Sequence, residues 1–175
     1  MKKTVLFLIM LLPALTVSAQ KNTSTSYIEK FKDNAIRIMH ESGIPASIIL
    51  GIAMHESGCG NSAVATHLNN QFGVKGGGTT IYYKNHKKVR SSYKKYDSVL
   101  DSFKDFARIM TERKQFSHLA EELSQYDYVG WVRGIQRNGY ASSKKWGSQV
   151  LAIIRKYNLD LLDGKSDSTE LAQRQ

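Results

Sequence analysis

Apolar residues recur at helical spacing along most of the chain, and the breaks in that period divide it into segments. Ile28, Phe31, Ala35, Ile38 and Met39 form a stripe that predicts a helix ending near Gly43. Ser26 and Glu29 have the spacing of a capping box, so residues 20–26 read as a flexible lead-in and the folded domain as residues 27–162. Pro45 stands where a first-turn proline opens a second helix, which runs through Ile48, Ile49 and Ile52 to Glu56 and stops at Gly58 and Gly60. Asn61 to His67 predicts a short helix with Val64 and Ala65 inward. The period then changes: Thr79–Tyr83 and Lys88–Tyr93 are rich in β-branched and aromatic residues, and Lys84–Lys87 between them suits a turn. Ser98 and Asp101 are placed to cap a helix whose inward stripe is Val99, Phe103, Phe106, Ala107 and Met110. Further helices are expected over Phe116–Leu123, over Asp127–Gln136, and over a closing segment carrying Trp146, Val150, Ile153, Ile154 and Tyr157. The fold class is therefore mainly α (α+β), with one small β-hairpin lobe. Residues 163–175 are polar and read as a disordered tail.

Composition narrows the compartment. Lys2 and Lys3 precede an apolar run from Val5 to about Leu15, and Val17-Ser18-Ala19 supplies the small residues a signal peptidase reads, so residues 1–19 are expected to be a secretory signal. The apolar run is too short to span a bilayer and no cysteine stands at the cleavage point to take a lipid. Export to the periplasm or the cell exterior is expected, without stable membrane insertion after cleavage. The remaining chain, about 155 residues, suits a single compact domain. The full chain has a formal charge of +10; without Lys2 and Lys3 the remainder carries +8, which favours an anionic partner. Secretion, together with the lack of an aromatic RNA-binding motif, sets nucleic acid aside. Cys59 is the single cysteine, so stability rests on apolar packing rather than on an internal disulfide.

The candidate chemistry centres on Glu56. Ile48, Ile49, Ile52 and Glu56 share one helix face, so the carboxyl should project from the buried side, and the glycines after it leave open space alongside. Apolar surroundings favour the protonated form of a carboxyl, which is the form a general acid donates from. The bland alternative is a solvated helix-end glutamate. His55 lacks a second histidine on its face, so neither a metal nor another cofactor is expected. Cys59 reads as a small half-buried side chain rather than a nucleophile. Asn69, Asn70 and the glycines around Phe72 suit turns or the gripping of sugar hydroxyl and acetamido groups. Asp97 and Asp101 read as first-turn acids of a helix.

The run HESGCGNSAVATHLNNQFGVKG (residues 55–76) resembles the signature of the bacterial glucosaminidases, glycoside hydrolase family 73 of the flagellar and autolysin type. Glu56, Ser57, Gly58, Gly60, Ser62, Ala65, Asn69, Asn70, Phe72, Gly73, Lys75 and Gly76 stand at the family's positions. Tyr93–Ser98 resembles its F-R-x-Y-D-S element and Gly139–Ser142 its G-Y-A-T motif. The resemblance implies a lysozyme-like fold, with a helical lobe and a β-hairpin lobe flanking a cleft. It also implies hydrolysis of the β-1,4 bond after N-acetylglucosamine in peptidoglycan, by a monomer acting on glycan strands. Glu56 and Tyr140 are the implied catalytic residues; Ser62, Asn69, Asn70, Phe72, Gly73, Lys75 and Tyr82 are the implied substrate contacts. Two departures matter. Tyr82 stands where many members carry a second acid, and there is no Asp or Glu between Glu56 and Asp97. Ser143, Lys144 and Trp146 replace the family's D-P-x-Y. One carboxylate cannot serve both roles of a two-carboxylate glycosidase, which leaves three readings: assistance by the substrate's 2-acetamido group, which is favoured, entry of Asp97 or another distant acid into the cleft, or a water oriented without a carboxylate base. A muramidase or lytic transglycosylase on the same fold, or a non-catalytic glycan-binding protein, are the alternatives.

Overall fold

The computed structural model describes residues 21–164. The expected signal over 1–19 and the tail beyond residue 164 lie outside those residues. The elements are α1 (Ser24–Ser42), α2 (Ala46–Ser57), α3 (Ala63–Leu68), β1 (Lys75–Lys84), β2 (Lys87–Tyr93), α4 (Val99–Glu112), α5 (Leu119–Glu122), α6 (Tyr128–Arg137), α7 (Trp146–Lys156) and a closing 3-10 turn, Leu159–Asp163. The mainly helical class and the hairpin lobe are as expected. No described helix is long and apolar enough to cross a membrane.

Helix α2 is the axis of the fold. Residues 46–54 are buried on every side, more than the single stripe expected, and α1, α4, α6, α7 and the closing turn surround them. A helix that is apolar all round is stable only inside such a shell. Gly51 lets α7 approach closely: a Cβ there would stand 2.8 Å from Ile154 and 3.6 Å from Val150. Going from Gly51 to Glu56 along α2 therefore means going from Ile154 back to Trp146 along α7, so the C-terminal turn of one helix meets the first residue of the other. Phe31, Phe72, Phe103 and Phe106 join α1 and α4 to this core through ring contacts at 4.4–5.3 Å.

Local signals set the helix ends, with shifts of a few residues. Gly43 and Gly58 close α1 and α2 in the left-handed conformation. Helix α1 begins at Ser24, inside the stretch expected to be a lead-in, because Thr23 and Ser26, not Ser26 and Glu29, form its capping box. Ser98 and Asp101 form the capping box of α4 as expected. The helix predicted over 116–123 is only α5, preceded by hydrogen-bonded turns from Arg113. The hairpin reverses over two residues rather than four: Lys84 pairs with Lys87, and Asn85 and His86 both take positive φ, as a tight primed turn requires. The strand register slips between Lys75 and Thr80.

The hairpin lobe is tied to α4 by one buried acid. The Asp105 carboxylate accepts from Lys94 Nζ (2.9 Å), Tyr96 Oη (2.7 Å) and Arg108 Nη2 (2.7 Å). Burial opposes its ionisation, yet these donors together hold the carboxyl below its ordinary range.

Asp163, assigned from sequence to the polar tail, is 1% exposed. Its oxygens accept from Ser47 N (2.8 Å) and Ser47 Oγ (2.6 Å) and so cap the first turn of α2. Burial outweighs those bonds and pushes the carboxyl up to about 6 from 3.8. The folded protein thus holds this proton more tightly than the unfolded chain does. The contribution is fully present below pH 3.8 and declines as pH rises to about 6. Asp163→Asn is expected to lack this decline, so unfolding free energies of variant and wild type should diverge by up to about 3 kcal/mol, in the variant's favour, between pH 4 and 7. Urea titrations at four pH values would show it; parallel curves would mean that Asp163 ionises at the same pH in both states.

Candidate active site

The meeting of α2 and α7 places Glu56 at the floor of a cleft of about 570 Å³. The side chain is half-buried, in the last turn of α2 before Gly58. Its Oε1 accepts from the indole Nε1–H of Trp146 at 2.7 Å. An indole nitrogen only donates, so Oε1 remains an acceptor in this arrangement and a proton carried by the carboxyl resides on Oε2. Oε2 lies toward Gly73, where an added Cβ would come within 3.5 Å of it. Gly73 also has φ +63°, so a side chain there would strain the backbone as well as crowd the acid. Glycine at this position keeps Oε2 open to the cleft.

An aromatic wall supports the arrangement. The Tyr140 ring lies 5.4 Å from that of Trp146 and meets Phe106 and Phe116 edge-on at 6.0 and 6.2 Å. Its hydroxyl donates to the Phe72 carbonyl at 3.1 Å. Burial, with the Glu56 charge adding to it, pushes the phenol well above its ordinary value. Tyr140 therefore keeps its proton and donates it in a hydrogen bond to the backbone beside Gly73. His55 and Lys75 also line the cleft, as do Arg113 and Gln115 from the turn after α4. Glu56 is the one carboxylate among the lining residues. Asp97 is exposed away from the cleft, and Asp101 is engaged in the α4 cap.

Of the expected contacts, Phe72, Gly73 and Lys75 line the cleft with Glu56 and Tyr140; Ser62, Asn69, Asn70 and Tyr82 do not. Each of the four has another partner. Ser62 is the N-cap of α3 and accepts from Ala65 N. Asn69 Nδ2 donates to the Tyr96 and Asp97 carbonyls, and Asn70 Nδ2 donates to those of Val74 and Lys94 at 2.8 Å each. The paired amides clamp both roots of the hairpin lobe and so shape the cleft without facing it. Tyr82 stacks on His67 at 5.2 Å, leaving the position of the family's second acid filled by a hairpin contact. Phe72 is itself a core ring, 2% exposed, that reaches the cleft only at its edge. Trp146 and Arg113 join the site without a sequence motif that marks them. By its period Trp146 is one more inward residue of the closing helix. Its position at the start of that helix, shortly after the Gly139–Ser142 motif, was the available signal.

Residues 32–159 match the model of the family described as Glucosaminidase, mannosyl-glycoprotein endo-beta-N-acetylglucosaminidase. A search of curated proteins finds no significant match. Among solved structures, the catalytic domain of the autolysin Auto from Listeria monocytogenes superposes with a TM-score of 0.65 at 23% identity, covering 86% of this chain and 93% of that one. The glycoside hydrolase domain of FlgJ from Salmonella typhimurium gives 0.62 at 21% identity, with 87% and 98% covered. A peptidoglycan hydrolase from Sphingomonas sp. A1 gives 0.64 at 20%, with 82% and 97% covered. These likenesses establish the shared fold, and the match across most of the described residues establishes that the chain belongs to the glucosaminidase family of glycoside hydrolases.

Proposed function

We propose that the protein hydrolyses peptidoglycan at the β-1,4 bond after N-acetylglucosamine, with Glu56 as general acid. The observation that carries this is the carboxyl of Glu56 in the cleft, one oxygen held by Trp146 and the other open beside Gly73. Family membership supplies the reaction class, and the printed descriptions of the autolysin, FlgJ and peptidoglycan hydrolase structures support the wall polymer as substrate. The basic chain suits an anionic wall, and the secretory signal read in residues 1–19 would deliver it there.

With Glu56 the single cleft carboxylate, the second role falls to the substrate. Oε2 gives its proton to the glycosidic oxygen as the bond to C1 breaks, and the 2-acetamido carbonyl oxygen attacks C1 to form an oxazolinium ion. Water then adds to C1 from the opposite face as the C1–O bond of the oxazolinium ring breaks and restores the acetamido group, one water proton returns to the Glu56 carboxylate, and the anomeric configuration is retained. Tyr140 acts as a positioning residue that holds the Phe72–Gly73 backbone open over the acid, and Lys75 contacts the sugar chain from the rim.

The test is digestion of purified sacculi, borohydride reduction and mass spectrometry of the new ends. Reduced N-acetylglucosamine at the ends, with the β-anomer formed first by NMR, is the expected result. Reduced muramic acid or a 1,6-anhydro product would transfer the enzyme to the muramidase or lytic transglycosylase class.

A further inference from the structure

The cleft holds more positive charge than cleavage of a neutral sugar chain requires. Its lining contains one carboxylate, Glu56, but two cations, Lys75 from the start of β1 and Arg113 from the end of α4. Two cations near these elements are paired, Lys94 with Asp105 and Arg108 with both Asp105 and Glu112. Neither Arg113 nor Lys75 makes an ion pair among the described residues.

The Arg113 backbone is nonetheless well anchored. Its N–H donates to the Ile109 carbonyl at 3.2 Å, and its own carbonyl accepts from Phe116 N (2.8 Å) and Ser117 N (3.0 Å). From this fixed base Arg113 lines the cleft with an exposed side chain. A planar guanidinium without an ion-pair partner among the described residues, in a cleft that an ammonium also lines, fits a carboxylate of the bound ligand.

We propose that Arg113, assisted by Lys75, binds a carboxylate carried by the muramyl-peptide portion of the substrate and so distinguishes wall glycan from uncharged N-acetylglucosamine polymers. This rests on the peptidoglycan reading above and assigns the group that selects it. Two sources supply the same chemistry: the lactyl carboxylate of a muramic acid without peptide, and a free carboxylate of an attached stem peptide.

Binding separates this proposal from the catalytic one. Glu56→Gln protein is sedimented with native sacculi and with sacculi whose carboxyl groups have been converted to amides. The Glu56→Gln protein is expected to bind native sacculi about fivefold more tightly, the upper end for a charge pair at an exposed cleft rim. Adding Arg113→Gln should reduce that ratio to within about twofold, whereas adding Lys104→Gln, an exposed cation of α4 outside the cleft, should preserve it. A ratio that survives Arg113→Gln, falls equally with Lys104→Gln, or is absent from the start overturns the proposal. Glycan strands stripped of peptides identify the source: an Arg113-dependent preference that persists on them assigns the lactyl carboxylate, and one that disappears assigns the stem peptide. Wild-type hydrolysis is scored separately, so failure to cleave would count against the proposed reaction and not against the carboxylate site.

Discussion

Glu56→Gln is expected to lower the rate of wall hydrolysis by about 10³- to 10⁴-fold while leaving the fold and glycan binding intact. The substitution is nearly isosteric, and the glutamine carbonyl can still accept the Trp146 indole N–H that Glu56 Oε1 accepts at 2.7 Å. What changes is the group facing the cleft, because an amide beside Gly73 has no acidic proton to give the glycosidic oxygen. The estimate lies at the upper end of the range for general acid–base catalysis, since the same carboxylate must later take the proton from water. Release of soluble muropeptides from sacculi, measured against time for wild type and variant at matched concentration, is the appropriate assay. The thermal midpoint should move by no more than about 2 °C, given that no core contact is removed. Equal solubilisation by the two proteins would end the enzymatic reading and favour a glycan-binding role.

The second large effect is expected at Trp146. Replacement by Phe keeps most of the ring that packs on Tyr140 and removes only the donor to Glu56 Oε1. Without that bond the carboxyl is free to rotate, and either oxygen can turn toward the protein and away from Gly73. A loss of about 10- to 100-fold in kcat is expected, with KM changed by less than about twofold, because the misalignment is felt at proton transfer and not in sugar binding. Some stability, about 1–3 kcal/mol, should be lost with a charge-assisted bond to a half-buried carboxyl. Trp146→Tyr is the informative companion: the resembling family's pattern has Tyr here, and its phenol can donate, so this variant should recover to within about tenfold of wild type. If Trp146→Phe has unchanged kcat, or if Tyr is no better than Phe, then Trp146 serves packing alone.

The two substitutions act on one pair of atoms, so their effects should not add. Once Glu56 is Gln, removing the indole donor should cost little further activity, because no proton remains to be aimed. The double variant therefore distinguishes a positioning role for Trp146 from a general weakening of the α2–α7 contact, which would lower activity in either background.

The amino-acid sequence by itself determined the local elements and the acid. Helical period, the glycines at 43 and 58, the Ser98–Asp101 cap and the β-branched hairpin depend on neighbours a few residues away, so the chain displays them directly. Glu56 was legible for the same reason, as a charge ending an apolar helix before glycines. Tertiary structure decided which side chains surround it. Trp146 and Glu56 are separated by 90 residues, and they meet because Gly51 admits Ile154 and sets the two helices end to start. Asn69 and Asn70 looked like sugar-binding amides, but chain segments more than 20 residues away present unpaired carbonyls that claim them. Asp163 left the tail to cap a helix 116 residues earlier, and the turn after α4 brought Arg113 to the cleft. A polar side chain shows in the sequence what it can bond. Which partner it bonds depends on the donors and acceptors that packing leaves unsatisfied at its position, and those come from elsewhere in the chain.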